Sequence, residues 1–81
     1  MLKVYGSKMC EDTMECVHTL EEKSMEFEFV EIEASLDNLK AFLKIRDNSP
    51  LYEKVRENGG IGIPYVEKAD GEGTLDWKTV L

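Results

Sequence analysis

Short stretches in which hydrophobic residues follow one another or alternate with polar residues predict four β-strands. The first covers residues 2–5, and the second covers residues 27–33, where three glutamates are interleaved with hydrophobic residues. The third covers residues 63–66, and a hairpin-like turn at residues 70–73 leads to a short fourth strand, Thr74-Leu75. Outward glutamates discourage pairing with a foreign strand, so we expect residues 27–33 at an edge of the sheet.

Between the strands, hydrophobic residues spaced three or four apart predict amphipathic helices. Within residues 12–23, the inward arc of the first helix consists of Thr13, Cys16, Val17 and Leu20. The hydrophobic side of the second helix consists of Leu36, Leu39, Phe42 and Leu43. Ser49-Pro50, a hydroxyl N-cap followed by proline, predicts a third helix that Leu51 and Val55 anchor and Gly59-Gly60 ends.

The resulting order of elements predicts one α/β domain over residues 1–81. Asp76 can cap a last short helix over residues 77–81, which completes the order β-α-β-α-α-β-β-α. A parallel pair of strands comes first and a hairpin comes last. We therefore expect a four-stranded mixed sheet flanked by helices.

Composition excludes several classes of function. Seventeen acidic residues against ten basic ones give a net charge of -7, which argues against a nucleic-acid partner. A mean hydropathy of -0.37 and the lack of a long apolar run argue against a membrane partner. We expect no secretory signal, because the N-terminus lacks a basic start followed by an apolar stretch. Two cysteines are too few for a disulfide scaffold, so we expect the protein in the cytoplasm. We also expect a monomer.

Charge is unevenly distributed along the chain. Ten acidic residues and one base, Lys23, lie between Glu11 and Asp37, whereas bases predominate over residues 38–56. Two solvated helix faces would account for this pattern. The alternative is a basic rim for a small anion, with Lys44 or Arg46 facing a ligand carboxylate.

Cys10 lies where the first strand gives way to the first helix. Unpaired N–H groups and the helix dipole favour a thiolate there, and Lys8 adds positive charge. Glu11, Asp12 and Glu15 oppose this effect. A reactive thiol is the functional interpretation of Cys10, and a small apolar core residue is the structural one.

Cys16 has a different environment, because it shares the inward arc of the first helix and is predicted to be buried. If residues 10–16 are helical, Cys10 and Cys16 lie ~9 Å apart along the axis, beyond the ~7 Å reach of a disulfide. A zinc site with His18 as a third ligand is poorly supported, since a fourth ligand is missing. His18 is predicted to be an exposed helix residue.

The chain resembles a glutaredoxin, a family with the thioredoxin fold, over nearly its whole length. The resemblance rests on Val4-Tyr5-Gly6, on Cys10 at the start of a helix, on Ile63-Pro64 and on a glycine turn near the C-terminus. It implies a thioredoxin/glutaredoxin-like fold and a cis peptide bond before Pro64, facing the active-site cysteine. It also implies that backbone groups of Ile63 align an incoming disulfide.

The sequence departs from the family pattern at the cysteine motif. Cys10-Glu11-Asp12-Thr13 stands in place of the common Cys-Pro-x-Cys, so Thr13 replaces the resolving cysteine. The chain is similar in this respect to one-cysteine members, in which the thiol works with glutathione. Ser7 occupies the position of the family's lysine, with Lys8 one step nearer to Cys10. Gly73-Thr74-Leu75-Asp76 retains part of the acidic motif that helps to hold glutathione.

The resemblance implies a small thiol–disulfide oxidoreductase that serves cell redox homeostasis. Cys10 is the predicted nucleophile, and Thr13 is predicted to donate a hydrogen bond to its sulfur. Glutathione or another small thiol is the expected co-substrate, no metal is expected, and the partner is a disulfide-containing protein or a small-molecule thiol. The residues predicted to bind glutathione are Lys8, Ile63, Pro64 and Asp76.

Two alternatives remain open from the sequence. One is a thioredoxin-fold binding or regulatory module without turnover, which the acidic first turn and the missing resolving cysteine favour. The other is a redox sensor in which Cys16 captures Cys10 after the first turn of the helix unwinds.

Overall fold

The sheet is built around strand β1 (Leu2–Gly6), which lies between β2 (Phe27–Glu31) and β3 (Tyr65–Glu67). The computed structural model describes all 81 residues and gives the strand order β2-β1-β3-β4, with β4 at Gly73–Thr74. Strands β1 and β2 are parallel, whereas β3 is antiparallel to both β1 and β4. The predicted four-stranded mixed sheet is confirmed, and β2 lies at its edge as predicted.

Helices connect the strands and cover both faces of the sheet. The parallel pair needs a crossover connection, which α1 provides. The helices are α1 (Glu11–Glu22), α2 (Leu36–Asn48), a 3₁₀ turn (Pro50–Tyr52), α3 (Glu53–Glu57) and a last 3₁₀ turn (Trp77–Val80). The predicted caps are confirmed, because the side chains of Ser49 and Asp76 accept hydrogen bonds from the N–H groups of Leu51 and Lys78. The longest helix has 13 residues, and none could cross a lipid bilayer.

One face of the sheet packs against α1. Successive strand residues point to opposite faces, so Val4 and Val66 lie on this face. They pack with Trp77 and with the predicted arc of α1, in which Thr13, Cys16, Val17 and Leu20 are all buried. The helical periodicity of α1 was therefore sufficient to identify the residues that this helix contributes to the core.

The opposite face carries an aromatic core. Tyr5 and Tyr65 point to this side and pack with Phe42 of α2 and with Tyr52. The Tyr52 ring lies 6.0 Å from Phe42 in a T-shaped arrangement and 5.8 Å from Tyr65, centroid to centroid. Such aromatic pairs contribute about 0.5–1.5 kcal/mol each beyond the burial of their area.

Three hydrophobic residues predicted to face inward are exposed instead. Leu36 is 70% exposed, and Leu43 of α2 and Leu51 of the 3₁₀ turn are also at the surface. The residues of α2 that face the core are Leu39, Phe42 and Ile45. Tyr52 takes the anchoring place predicted for Leu51, because its larger ring fills the space between Phe42 and Tyr65.

Two strands are shorter than predicted. Strand β2 ends at Glu31; the Ile32 amide still donates to the Gly6 carbonyl at the end of β1, and the chain then turns away. Strand β3 begins only at Tyr65, since Pro64 has no N–H group for the ladder. The peptide bond between Ile63 and Pro64 is cis, as the resemblance implied. The fourth strand is Gly73–Thr74, one residue earlier than predicted.

The buried thiol of Cys16 should make the protein less stable in alkaline solution. Burial raises the pKa of Cys16 from 9.0 to about 11, so the unfolded chain loses this proton first as the pH rises. The free energy of unfolding should fall by roughly 2–3 kcal/mol between about pH 9 and pH 11, because one pKa unit corresponds to about 1.4 kcal/mol. Urea denaturation at a series of pH values measures this loss.

Cys16→Ala is the matched control, because it lacks the thiol and keeps every tyrosine. Near neutral pH the variant should be less stable than the wild type by about 1 kcal/mol, the cost of a small core truncation. This difference should shrink and then reverse toward pH 11, where the wild type has lost the contribution of its buried thiol. Parallel stability curves for the two proteins would contradict the placement of Cys16.

Candidate functional site

Cys10 is held at the junction between β1 and α1 by its backbone. Its carbonyl accepts a hydrogen bond from the Met14 amide at 3.1 Å, which begins the helix. Its own amide donates to the Ser7 carbonyl, also at 3.1 Å. The thiol makes no capping hydrogen bond and is partly exposed. The position of Cys10 is therefore fixed, while its sulfur remains accessible.

Ser7 organises the turn that carries Cys10. Its buried hydroxyl donates to a carboxylate oxygen of Glu33 and accepts from the Met9 amide at 3.0 Å. Its amide donates to the Thr13 hydroxyl at 3.4 Å. In the sequence, Ser7 is recognisable only as a replacement for a lysine. The pairing with Glu33, 26 positions away, has no local signal by which it could have been found.

Thr13 supports this turn from within the core. It is fully buried, and its hydroxyl accepts a hydrogen bond from the Ser7 amide. The folded chain shows no hydrogen bond from Thr13 to the Cys10 sulfur, so the role of Thr13 in exchange stays a prediction. Thr13 also packs closely on Gly6, where an added Cβ would lie 2.4 Å from the Thr13 methyl carbon. Thr13 is a positioning residue for the Cys10 turn.

Cys10 opens onto a cavity of about 320 Å³, which we call the Cys10 groove. Its lining is mainly hydrophobic: Met9, Cys10, Ile32, Ile61 and Ile63. Ser7 and Glu33 are its polar residues. Met9 is 84% exposed and Ile61 is 57% exposed, so hydrophobic surface at this groove faces solvent.

A second cavity, of about 280 Å³, adjoins the Cys10 groove at Ile63, which lines both. We call it the acidic cavity, because Asp12, Glu15 and Asp76 line it together with a single base, Lys78. The remaining lining residues are Pro64, Leu75 and Trp77. Among the residues predicted to bind glutathione, Ile63 thus lies beside Cys10, whereas Pro64 and Asp76 lie in the neighbouring cavity.

The loop that carries Ile61 and Ile63 is tied to the helical segments by side-chain hydrogen-bond donors. The Tyr52 hydroxyl donates to the Gly62 carbonyl at 2.6 Å, and the Arg46 guanidinium donates to the Gly60 carbonyl at 2.6 Å. The ring of Tyr52 also packs closely on Gly62. Tyr52 was not predicted as a residue of the site, since nothing in the local sequence distinguishes it from an ordinary core tyrosine.

The predicted basic rim is not formed at either cavity. Lys8 is exposed and its ammonium lies 3.9 Å from a carboxylate oxygen of Glu31. Arg46 is engaged with the Gly60 carbonyl and lies 3.8 Å from Asp47. Lys8, Lys44 and Arg46 line neither cavity.

The other two chemistry-bearing residues lie away from the Cys10 groove. Cys16 is a free, fully buried thiol in the core beneath α1. His18 is exposed, as predicted, and lies 3.5 Å from Glu21. No group of three or more histidine, cysteine, aspartate or glutamate side chains is arranged to hold a metal ion.

Comparison with known proteins supplies a relative. No family model matches the sequence, and no solved structure matches it. An uncharacterized protein of Haemophilus influenzae is 34% identical over 73 residues, which make up 90% of this chain and 85% of the relative. The chain belongs to the family of that Haemophilus protein.

The two cysteines should differ sharply in reactivity. In the folded protein an alkylating reagent should label Cys10, which is partly exposed, and should spare Cys16, which is fully buried. Intact-mass measurement should find one label per chain, and unfolding in urea should allow a second. Cys10→Ser is the control and should take no label while folded. Labelling of Cys16 in the folded chain would contradict the structure.

The close packing of Tyr52 on Gly62 predicts different costs for two glycine substitutions. Gly59 and Gly62 both have positive φ, +72° and +81°, but an added Cβ at Gly62 would lie 2.3 Å from the Tyr52 ring, whereas Gly59 has open space. Gly59→Ala should cost about 1 kcal/mol of left-handed strain. Gly62→Ala should cost a further 1–3 kcal/mol, roughly the penalty of overpacking.

Urea unfolding measures both losses. Gly59→Ala serves as the matched control, since its loss of stability reports only the cost of a left-handed backbone at alanine. Equal losses for the two variants would show that Tyr52 does not hold the loop at Gly62.

Proposed function

We propose that this protein is a small thiol–disulfide oxidoreductase of glutaredoxin type, with a thioredoxin-like fold and Cys10 as its nucleophile. The observation that carries the proposal is the placement of a free, accessible thiol at the start of α1, in the wall of a hydrophobic groove. During exchange, negative charge is shared among the attacking, central and leaving sulfurs. N–H groups at the start of a helix can stabilise such charge.

The backbone of Ile63 supports the same proposal. Ile63 borders the Cys10 groove, and neither its N–H nor its carbonyl takes part in a hydrogen bond of the folded chain. An extended substrate segment could pair with these groups, as a peptide adds to the edge of a sheet. That pairing would place a substrate disulfide beside Cys10. The resemblance to glutaredoxins assigns this role to the same position.

The reaction needs a second thiol from solution. The Cys10 sulfur attacks one sulfur of the substrate disulfide; a new S–S bond forms, the old one breaks, and the released thiolate takes a proton from water. A small thiol, such as glutathione, then attacks the substrate sulfur of this mixed disulfide and restores Cys10. In one cycle, a disulfide and a thiol exchange partners with no net change in the number of S–S bonds.

No residue of the chain is suited to replace the small thiol. Thr13, at the resolving position, carries no sulfur. Cys16 is fully buried, and burial raises its pKa to about 11, so it is neither accessible nor ionised near neutral pH. The mixed disulfide should therefore persist until an external thiol arrives.

The assay that tests the proposal is reduction of bis(2-hydroxyethyl) disulfide with glutathione as reductant. Cys10→Ser should abolish the protein's contribution, because no other accessible thiol exists. Cys16→Ala should retain it, since Cys16 lies in the core, away from the groove. Without glutathione, the wild type should stop at a mixed disulfide on Cys10, detectable by mass spectrometry.

Two features favour a non-catalytic binding module as a second candidate. Glu11 and Asp12 place negative charge in the first turn of α1, and the Thr13 hydroxyl bonds to Ser7 instead of assisting Cys10. A wild type that forms no mixed disulfide on Cys10 would favour this second function. Activity that survives in Cys10→Ser would reject the assigned nucleophile.

A further inference from the structure

We propose that the disulfide partner recognised by Cys10 is an extended polypeptide segment whose cysteine has hydrophobic neighbours and, within a few residues, basic ones. This inference rests on the proposed function and adds the class of substrate. It follows from two properties of the surface: the hydrophobic lining of the Cys10 groove and the charge of the groove together with the acidic cavity.

The hydrophobic lining favours apolar side chains beside the substrate cysteine. Met9 and Ile61 expose most of their side chains at the Cys10 groove, and Ile32 and Ile63 line it more deeply. Contact with apolar residues would remove this surface from water, which is favourable in proportion to the area covered. A small polar thiol would leave most of it exposed.

The charge of the surface favours a cationic segment. Glu33 is the charged residue that lines the Cys10 groove. In the adjoining acidic cavity, Asp12, Glu15 and Asp76 outnumber Lys78. The nearby bases are engaged elsewhere: Lys8 faces Glu31, and Arg46 binds a backbone carbonyl. Glutathione, with two carboxylates and one ammonium group, therefore has fewer complementary charges here than a lysine or arginine side chain.

The arrangement of the two cavities favours a polypeptide over a small cation. Ile63 lines both cavities, which have volumes of about 320 Å³ and 280 Å³. An extended chain advances about 3.3 Å per residue, so a segment with its cysteine at Cys10 can reach the acidic cavity within a few residues. The unpaired backbone groups of Ile63 lie along that path.

A pair of peptides that differ only in charge tests the proposal. Both carry one cysteine, activated as a 2-thiopyridyl disulfide, with the same hydrophobic neighbours; one has lysines and the other glutamates a few residues away. The absorbance of released thiopyridone gives the rate at which Cys10 attacks each peptide. At low ionic strength the lysine peptide should react at least roughly 10-fold faster than the glutamate peptide, and added salt should lower the ratio of the two rates. Rates with the neutral thiol dithiothreitol correct for the intrinsic reactivity of the peptides.

Variants locate the effect on the protein. Glu33→Gln should reduce the ratio of the two rates, because it removes a carboxylate from the Cys10 groove. Glu22→Gln is the matched control; it removes an equal charge from an exposed site in the last turn of α1, at the far end from Cys10, and should keep the ratio. A ratio that falls equally in both variants would attribute the preference to net charge and overturn the assigned surface.

A neutral disulfide separates failure of this inference from failure of the proposed function. If Cys10 attacks 2-hydroxyethyl 2-pyridyl disulfide and reacts equally with both peptides, the inference is wrong and the proposed function stands. If Cys10 attacks none of the three, the proposed function fails, and the inference fails with it. If a 2-thiopyridyl derivative of cysteamine reacts as fast as the lysine peptide, the substrate is a small cationic thiol. That result would overturn the proposal of a polypeptide partner.

Discussion

The contact between Tyr52 and Gly62 connects the core of the protein to its candidate site. Tyr52 is fully buried between the rings of Phe42 and Tyr65, and its hydroxyl donates to the Gly62 carbonyl. Burial raises the pKa of Tyr52, so the hydroxyl remains a protonated donor throughout the physiological range. Loss of either the ring or the hydroxyl would free the loop that presents Ile61 and Ile63. The shape of the Cys10 groove therefore depends on the packing of the aromatic core.

The rest of the groove is built at one end of the parallel strand pair. The turn after β1 supplies Cys10, and the turn after β2 supplies Ile32 and Glu33. Carboxyl ends of adjacent parallel strands meet at the same edge of a sheet, which is where such sheets commonly bind ligands. The hydroxyl of Ser7 joins the two turns through Glu33. The groove thus holds a negative charge beside the Cys10 thiol, because the Glu33 carboxylate that fixes the turn also lines this groove.

Much of the fold could be predicted because its signals are local. The spacing of Cys16, Val17 and Leu20 along one helix face identified a core, and the hydroxyl of Ser49 before a proline identified a helix start. On α2, Leu36 and Leu43 are spaced as plausibly for a buried helix face as Leu39, Phe42 and Ile45 are, so the local pattern could not show which set faces the core. Leu43 is exposed and Phe42 is buried because the larger ring fits beside Tyr52, a contact between residues ten positions apart.

The site was less predictable than the fold for a similar reason. Cys10 could be found from its place between a strand and a helix, and Ile63 from its resemblance to a family position. The other walls of the groove depend on contacts between distant residues, such as Ser7 with Glu33 and Tyr52 with Gly62. Thr13 was assigned to chemistry because of its position in a motif, whereas its burial makes it a support for the turn.

The most direct test of the account is the rate at which Cys10 attacks a neutral disulfide in the folded and in the unfolded chain. The same protein, with Cys16 replaced by alanine so that only one thiol can react, is measured in buffer and in concentrated urea. The account predicts a second-order rate constant at least about tenfold higher in the folded chain, because α1 and the Cys10 groove stabilise and align the exchange. Equal rate constants would show that the fold gives Cys10 no advantage, and would contradict the account.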